Sequence, residues 1–208
     1  MTNPIGAEFR EVQQRDHEGK PALVVIAART YDTSVEDLWD AITSRERIPR
    51  WFLPIEGELR LGGRYQLQGN AGGTITRCDP PEALDVTWEF GGGVSWVNLR
   101  LAASGQGARL TLEHIAHKEG VGEEHLQMYG PGAVGIGWDL GFMGLGIHIA
   151  TGGDRPPEAD PAWMASDEAK AFMRESGEAW GAAEAASGED PNLARERAER
   201  TIAFYTGG

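Results

Sequence analysis

The chain has 208 residues, 40% of them hydrophobic and 25% charged, which suits one globular domain with an extension and excludes a mainly disordered polymer. Its net charge of −13 argues against a nucleic-acid partner and against an anionic membrane surface, since both need clustered Lys and Arg. A single cysteine, Cys78, excludes an intramolecular disulfide and a Cys-based zinc or iron–sulfur site, and residues 1–15 lack a secretory pattern, so a cytoplasmic location is expected.

Residues 9–14 read as a short strand, 16–19 as a turn, and 22–30 as a β-branched, alternating strand, together a hairpin. Ser34, with Asp37 three residues on, comes close to a capping box. Val35, Leu38, Trp39 and Ile42 follow at helical spacing and predict a helix over 35–43. A second short helix is expected over 45–51, broken around Pro49 or ended by Pro54. Six strands then come in series: 57–61, 64–68, 73–78, 84–90, 95–101 and 109–114. Tight turns about every ten residues predict an antiparallel meander. Leu84, Val86, Trp88 and Phe90 alternate with Asp85, Thr87 and Glu89, so one face is core and the other wet.

Pro131 opens a long helix over about 132–150. Its stretch 133–149 is nearly all apolar, but its 17 residues fall short of the roughly 20 of a membrane span. It also carries Asp139, His148 and five glycines, so it reads as a buried helix with no membrane insertion. A long twisted sheet must curl, and the long helix is available to cover its concave side. The expected fold is therefore α+β, a helix-grip architecture. The chain divides near Gly152 and Gly153. Residues 1–153 form the helix-grip domain. Residues 154–208, rich in Ala and Glu, form a helical extension expected to pack on the outer side of the long helix.

Several runs resemble a known family. They are 29–43, Trp51-Phe52, 61–65, 79–81 and 137–142. Together they are similar to the START-like superfamily of Bet v 1-type ligand-binding and polyketide cyclase proteins, in the branch named after the activator of the Hsp90 ATPase. The resemblance covers about 20–150 and implies the helix-grip fold. The tail from Asp160 resembles a C-terminal extension of actinobacterial members. Function varies across the superfamily, among lipid carriers, cyclases, hydrolases and a co-chaperone.

Three residue sets are candidates for a site. The aromatics Trp51, Phe52, Tyr65, Trp88, Phe90 and Trp96 either line an apolar cavity or fill the core; the resemblance places Trp51 and Phe52 at a cavity mouth. On the long helix, Trp138, Phe142, Leu145 and Ile149 share one face, and Gly137, Gly141, Gly144 and His148 form another stripe. Each helical glycine costs about 1 kcal/mol against Ala. Close packing is one explanation, and space for a ligand is the other. His114 shares the apolar face of Leu110 and Leu112, and reads as a satisfied inward histidine or as a base. His114 and His117 stand at i and i+3 of a strand, on opposite faces, so no metal is expected. No Gly-x-Ser-x-Gly elbow occurs, and the glycine pairs sit in hairpins, so neither a serine nucleophile nor a phosphate cradle is expected.

Three functions follow. The first is binding of a small apolar molecule between sheet and long helix, with no cofactor. The second is a cyclase-, dehydratase- or hydrolase-type enzyme using His114, Asp139 or His148. The third is an interaction protein, with an Hsp90-type chaperone or a second copy in a homodimer as partner.

Overall fold

The computed structural model describes residues 6–119, 122–153 and 160–207. Its elements, in chain order, are β1 Phe9–His17, β2 Lys20–Tyr31, α1 Val35–Thr43, α2 Ile48–Trp51 and β3 Ile55–Gly57. Next come β4 Arg64–Leu67, β5 Gly72–Asp79, β6 Ala83–Phe90, β7 Gly93–Ser104 and β8 Gly107–His117. The remainder is α3 Glu123–Tyr129, α4 Gly132–Thr151, α5 Pro161–Met164, α6 Asp167–Ala186 and α7 Pro191–Thr206. One eight-stranded sheet runs β1-β2-β8-β7-β6-β5-β4-β3 with every pair antiparallel. The sheet curls around α4, so the fold is α+β and helix-grip.

The register sets what faces the helix. Val25 lies opposite His114, and His114 opposite Val97; Leu112 lies opposite Leu99, and Leu99 opposite Leu84. With a side-chain period of two, these residues and their i±2 neighbours form the concave face. α1 begins where the sequence signals it: the Ser34 hydroxyl accepts from Asp37 N–H at 3.1 Å.

Four departures have local or tertiary causes. β3 covers Ile55–Gly57 rather than 57–61, because 58–63 turns back on itself. There Gly63 N–H donates to Arg60 O, and Glu58 N–H to Arg64 O. α2 keeps only Ile48–Trp51, with Pro49 inside its first turn. Phe90 sits at the β6–β7 turn and is exposed rather than buried. α3 has no buried residue to announce it. α7 holds it instead: Arg197 donates to Gln127 O, Arg200 to Met128 O and Thr201 to Tyr129 O.

α4 is long and apolar enough to cross a membrane by length and composition alone, yet half of that stretch lies inside the fold. The sheet covers one side. On another, Ile136 and Leu140 pack with Ala169, Phe172 and Met173 of α6. Trp180 of α6 is fully buried against Gly135, where a Cβ would stand 2.5 Å from the indole.

Asp139, also fully buried, collects four donors from two parts of the chain, the N-terminal segment and α6. Ala7 N–H donates to Oδ1 at 2.7 Å; Arg10 Nε at 2.9 Å, Trp180 Nε1 at 3.0 Å and the Ser176 hydroxyl donate to Oδ2. Burial pushes this carboxyl up from its ordinary range, and Arg10, Ser176 and Ala7 pull it back down. Gly6 makes the approach to Asp139 feasible. Its φ is +58°, and a Cβ there would stand 2.5 Å from Asp139 Cβ.

Candidate ligand-binding cavity

Between the concave face and α4 lies a cavity of about 150 Å³. The sheet supplies aliphatic walls: Leu67, Ile75, Leu84, Val86, Val97, Leu99, Leu110 and Leu112. α1 and α2 add Ile42, Thr43, Ile48 and Trp51, with Phe52 just beyond, and α4 adds Trp138, Gly141, Phe142 and Leu145. The strands reach it by alternation: Leu84, Val86 and Trp88 point in, while Asp85, Thr87 and Glu89 point out. Gly141 keeps the helix thin at this turn. A Cβ added there would meet the Phe52 ring at 3.6 Å, an ordinary contact.

Aromatic rings form one end. The Phe52 ring lies 5.4 Å from Trp51 at an interplanar angle of 27°, and 6.2 Å from Trp138 at 17°. Trp88 meets Trp138 at 5.1 Å and 59°. Polar atoms of four lining residues, Thr43, Trp51, Tyr65 and Trp138, are committed to protein partners. Trp51 Nε1 donates to Ala41 O at 2.9 Å, Tyr65 Oη to Thr87 O at 2.8 Å and Thr43 Oγ1 to Trp39 O at 2.7 Å. Trp138 Nε1 donates to His114 Nδ1 at 3.0 Å. What faces the space is hydrocarbon, aromatic ring and the half-buried thiol of Cys78.

His114 stands behind this wall rather than in it. Burial alone pushes its pKa down to about 4, so it is neutral at pH 7. Its Nε2 lies 2.8 Å from Ser95 Oγ, and that hydroxyl donates to Trp88 O at 3.2 Å.

The expected site residues therefore separate. Trp51, Phe52, Tyr65, Trp88, Trp138 and Gly141 come together around the cavity. Trp96 does not. Val97 points inward, so its neighbour points outward, and Trp96 packs between His17 at 4.3 Å and His117 at 4.9 Å on the other face of the sheet. His148 lies seven residues beyond Gly141, about 10 Å further along the helix and past the cavity. There it is buried; its Nε2 accepts from Arg47 Nε at 3.2 Å, and its Nδ1 faces Gly153 O at 3.0 Å. Gly137 faces the Tyr205 hydroxyl, which a Cβ there would meet at 3.6 Å, and not the cavity. The aliphatic walls carry no chemistry-bearing group to single them out, although the alternation of 84–90 and 109–114 marks several of them. Among the described residues, no group of three or more His, Cys, Asp or Glu is arranged to hold a metal ion.

The family described as activator of Hsp90 ATPase homolog 1-like protein matches residues 32–145, from the start of α1 through the cavity-lining part of α4. CalU16 from Micromonospora echinospora is similar over nearly its whole length. Its crystal structure shares 35% identity at a TM-score of 0.67, covering 84% of this chain and 96% of that one. Its solution structure shares 32% identity at a TM-score of 0.68, covering 90% and 100%. DynU16, a protein of the dynemicin biosynthetic locus, shares the fold at 20% identity and a TM-score of 0.53, over 63% of this chain and 48% of that one. No curated protein sequence matches. With a family match over more than half of the chain, from α1 through β3–β8 and most of α4, the chain belongs to the activator of Hsp90 ATPase homolog 1-like proteins.

Proposed function

We propose that this protein binds a small, uncharged, apolar molecule between its sheet and α4. One observation carries the reading: the cavity wall is hydrocarbon and aromatic ring, and the Trp51 and Trp138 indoles, the Tyr65 phenol and the Thr43 hydroxyl are bonded to protein partners. An unsolvated polar or charged ligand group would lose its water hydrogen bonds there without replacement, at several kcal/mol. An apolar ligand loses only contact with water, which favours binding by about 25 cal/mol per Å². The volume of about 150 Å³ matches that of dry cavities that accept a benzene-sized molecule.

Binding is favoured over catalysis because the titratable candidates are occupied. His114 bonds Trp138 and Ser95, Asp139 bonds the N-terminal segment and α6, and His148 bonds Arg47. None of the three lines the cavity. The chaperone-partner reading rests on the family's name alone.

The test is calorimetric titration with benzene, an uncharged molecule that matches this volume. The expected result is saturable binding at one benzene per chain. Gly141→Leu should weaken it at least tenfold while the variant still melts cooperatively. Absence of saturable binding by the wild-type protein, or full binding by a folded Gly141→Leu, overturns the proposal.

A further inference from the structure

We propose that His114 is a positioning residue that holds Trp138 as the movable wall of the cavity, and that protonating His114 in acid releases this ring and the ligand with it. The inference rests on the cavity reading above and adds a control to it.

The hydrogen bonds define a one-way relay. An indole N–H can only donate, so His114 Nδ1 must be the bare nitrogen and the proton must sit on Nε2. Nε2–H then donates to Ser95 Oγ, which donates in turn to the carbonyl of Trp88. The relay starts on one cavity ring, crosses from α4 to the sheet, and ends on the backbone of a second. The other tautomer would set Nδ1–H against the indole N–H, donor against donor.

Protonation creates the same conflict. An imidazolium has no acceptor nitrogen, so Trp138 would lose its partner. Among the described residues, no charged group faces His114 to compensate the charge. From β2 it faces Val25, from β7 Val97 and Ser95, from β6 Trp88 and from α4 Trp138. Among these neighbours there is no carboxylate, and desolvation is what displaces its titration. The charged ring must move toward water or the fold around it must loosen. Either movement separates Trp138 from Phe52 and Trp88, against which it now packs.

The experiment follows benzene binding by calorimetry from pH 7 to 3.5, with circular dichroism on the same samples. Wild-type affinity should be halved near pH 4 and fall about fourfold by pH 3.5, reversibly and with the fold retained. At pH 7, His114→Leu, which orphans the indole, should bind at least tenfold more weakly than wild type. His114→Asn, whose side chain offers an acceptor near the Nδ1 position, should recover most of that loss and show no such pH step. Equal weakening by both variants, a pH step retained in His114→Asn, or loss of the fold before affinity falls overturns the proposal.

A probe-free readout is the Trp138 indole resonance in ¹⁵N-indole NMR, assigned with Trp138→Phe. It should titrate with the same midpoint in wild type, even if His114→Leu fails to fold. If wild type binds no benzene, the ligand-binding reading fails. The indole resonance then decides the relay on its own: titration near pH 4 supports it, and an unmoved resonance overturns it.

Discussion

The side of α4 facing the tail and the side facing the sheet are filled in opposite ways. Toward α6, Gly135 lies hard against Trp180, and Asp139 is saturated by four donors. Toward the sheet, Gly141 has Phe52 at ordinary contact distance and a cavity beside it. The same residue type in the same helix thus serves two ends. On one side glycine allows close approach of a rigid ring, and on the other it leaves room. Polarity divides as well: the buried Asp139 carboxyl stays on the tail side, and the cavity wall is apolar. Anchoring α4 from behind lets its front stay unfilled without the helix shifting to close the gap.

The largest predicted effect comes from removing the anchor. Asp139→Ala strips the acceptor from the buried Ala7 N–H, the Ser176 hydroxyl and the Trp180 indole, and removes the charge opposite Arg10. Urea denaturation should show a loss of about 3–5 kcal/mol. A loss below about 1 kcal/mol would mean the tail side is not the firmer one.

Next is the acid response on the cavity side. His114 titrates near 4 in the folded protein, against an ordinary value of 6.5. Between these values the unfolded chain binds a proton that the folded chain does not, so stability falls as pH falls through that window. The full contribution is about 3 kcal/mol. Stability measured at pH 6.5 and near pH 4 should show a smaller acid loss in His114→Asn than in wild type.

The glycine pair gives the smaller and most direct contrast. Gly135→Ala places a methyl 2.5 Å from the Trp180 indole, which has no free space to retreat into. It should cost about 1–3 kcal/mol by overpacking despite the better helix propensity of Ala. Gly141→Ala places its methyl 3.6 Å from Phe52 and should be neutral or stabilising by up to about 1 kcal/mol. Thermal melts that rank the two variants the other way would erase the distinction between the faces.

Much of this arrangement is legible in the sequence, and the exceptions have physical reasons. The Ser34 cap, the alternation of 84–90 and the long apolar helix are short-range signals, and each appears where it is expected. α3 was not legible, because its partners on α7 lie about seventy residues away in sequence. Trp96 was readable in principle: Val97, Leu99 and Leu101 alternate, and a one-residue offset puts Trp96 on the opposite face. His148 shares a helix stripe with Gly141, but periodicity gives the face and not the distance along the axis. The relay through His114 joins three strands and a helix, and no local pattern encodes it.

The central claim is that an apolar, fillable space separates the sheet from α4. Crystals pressurised with xenon test it most directly, since xenon enters dry apolar cavities and needs no polar partner. The account predicts xenon density bounded by Phe52, Trp88, Trp138 and Gly141, and its loss in Gly141→Leu. Crystals in which Phe52 and Trp138 close over this space and xenon binds elsewhere or not at all would contradict it.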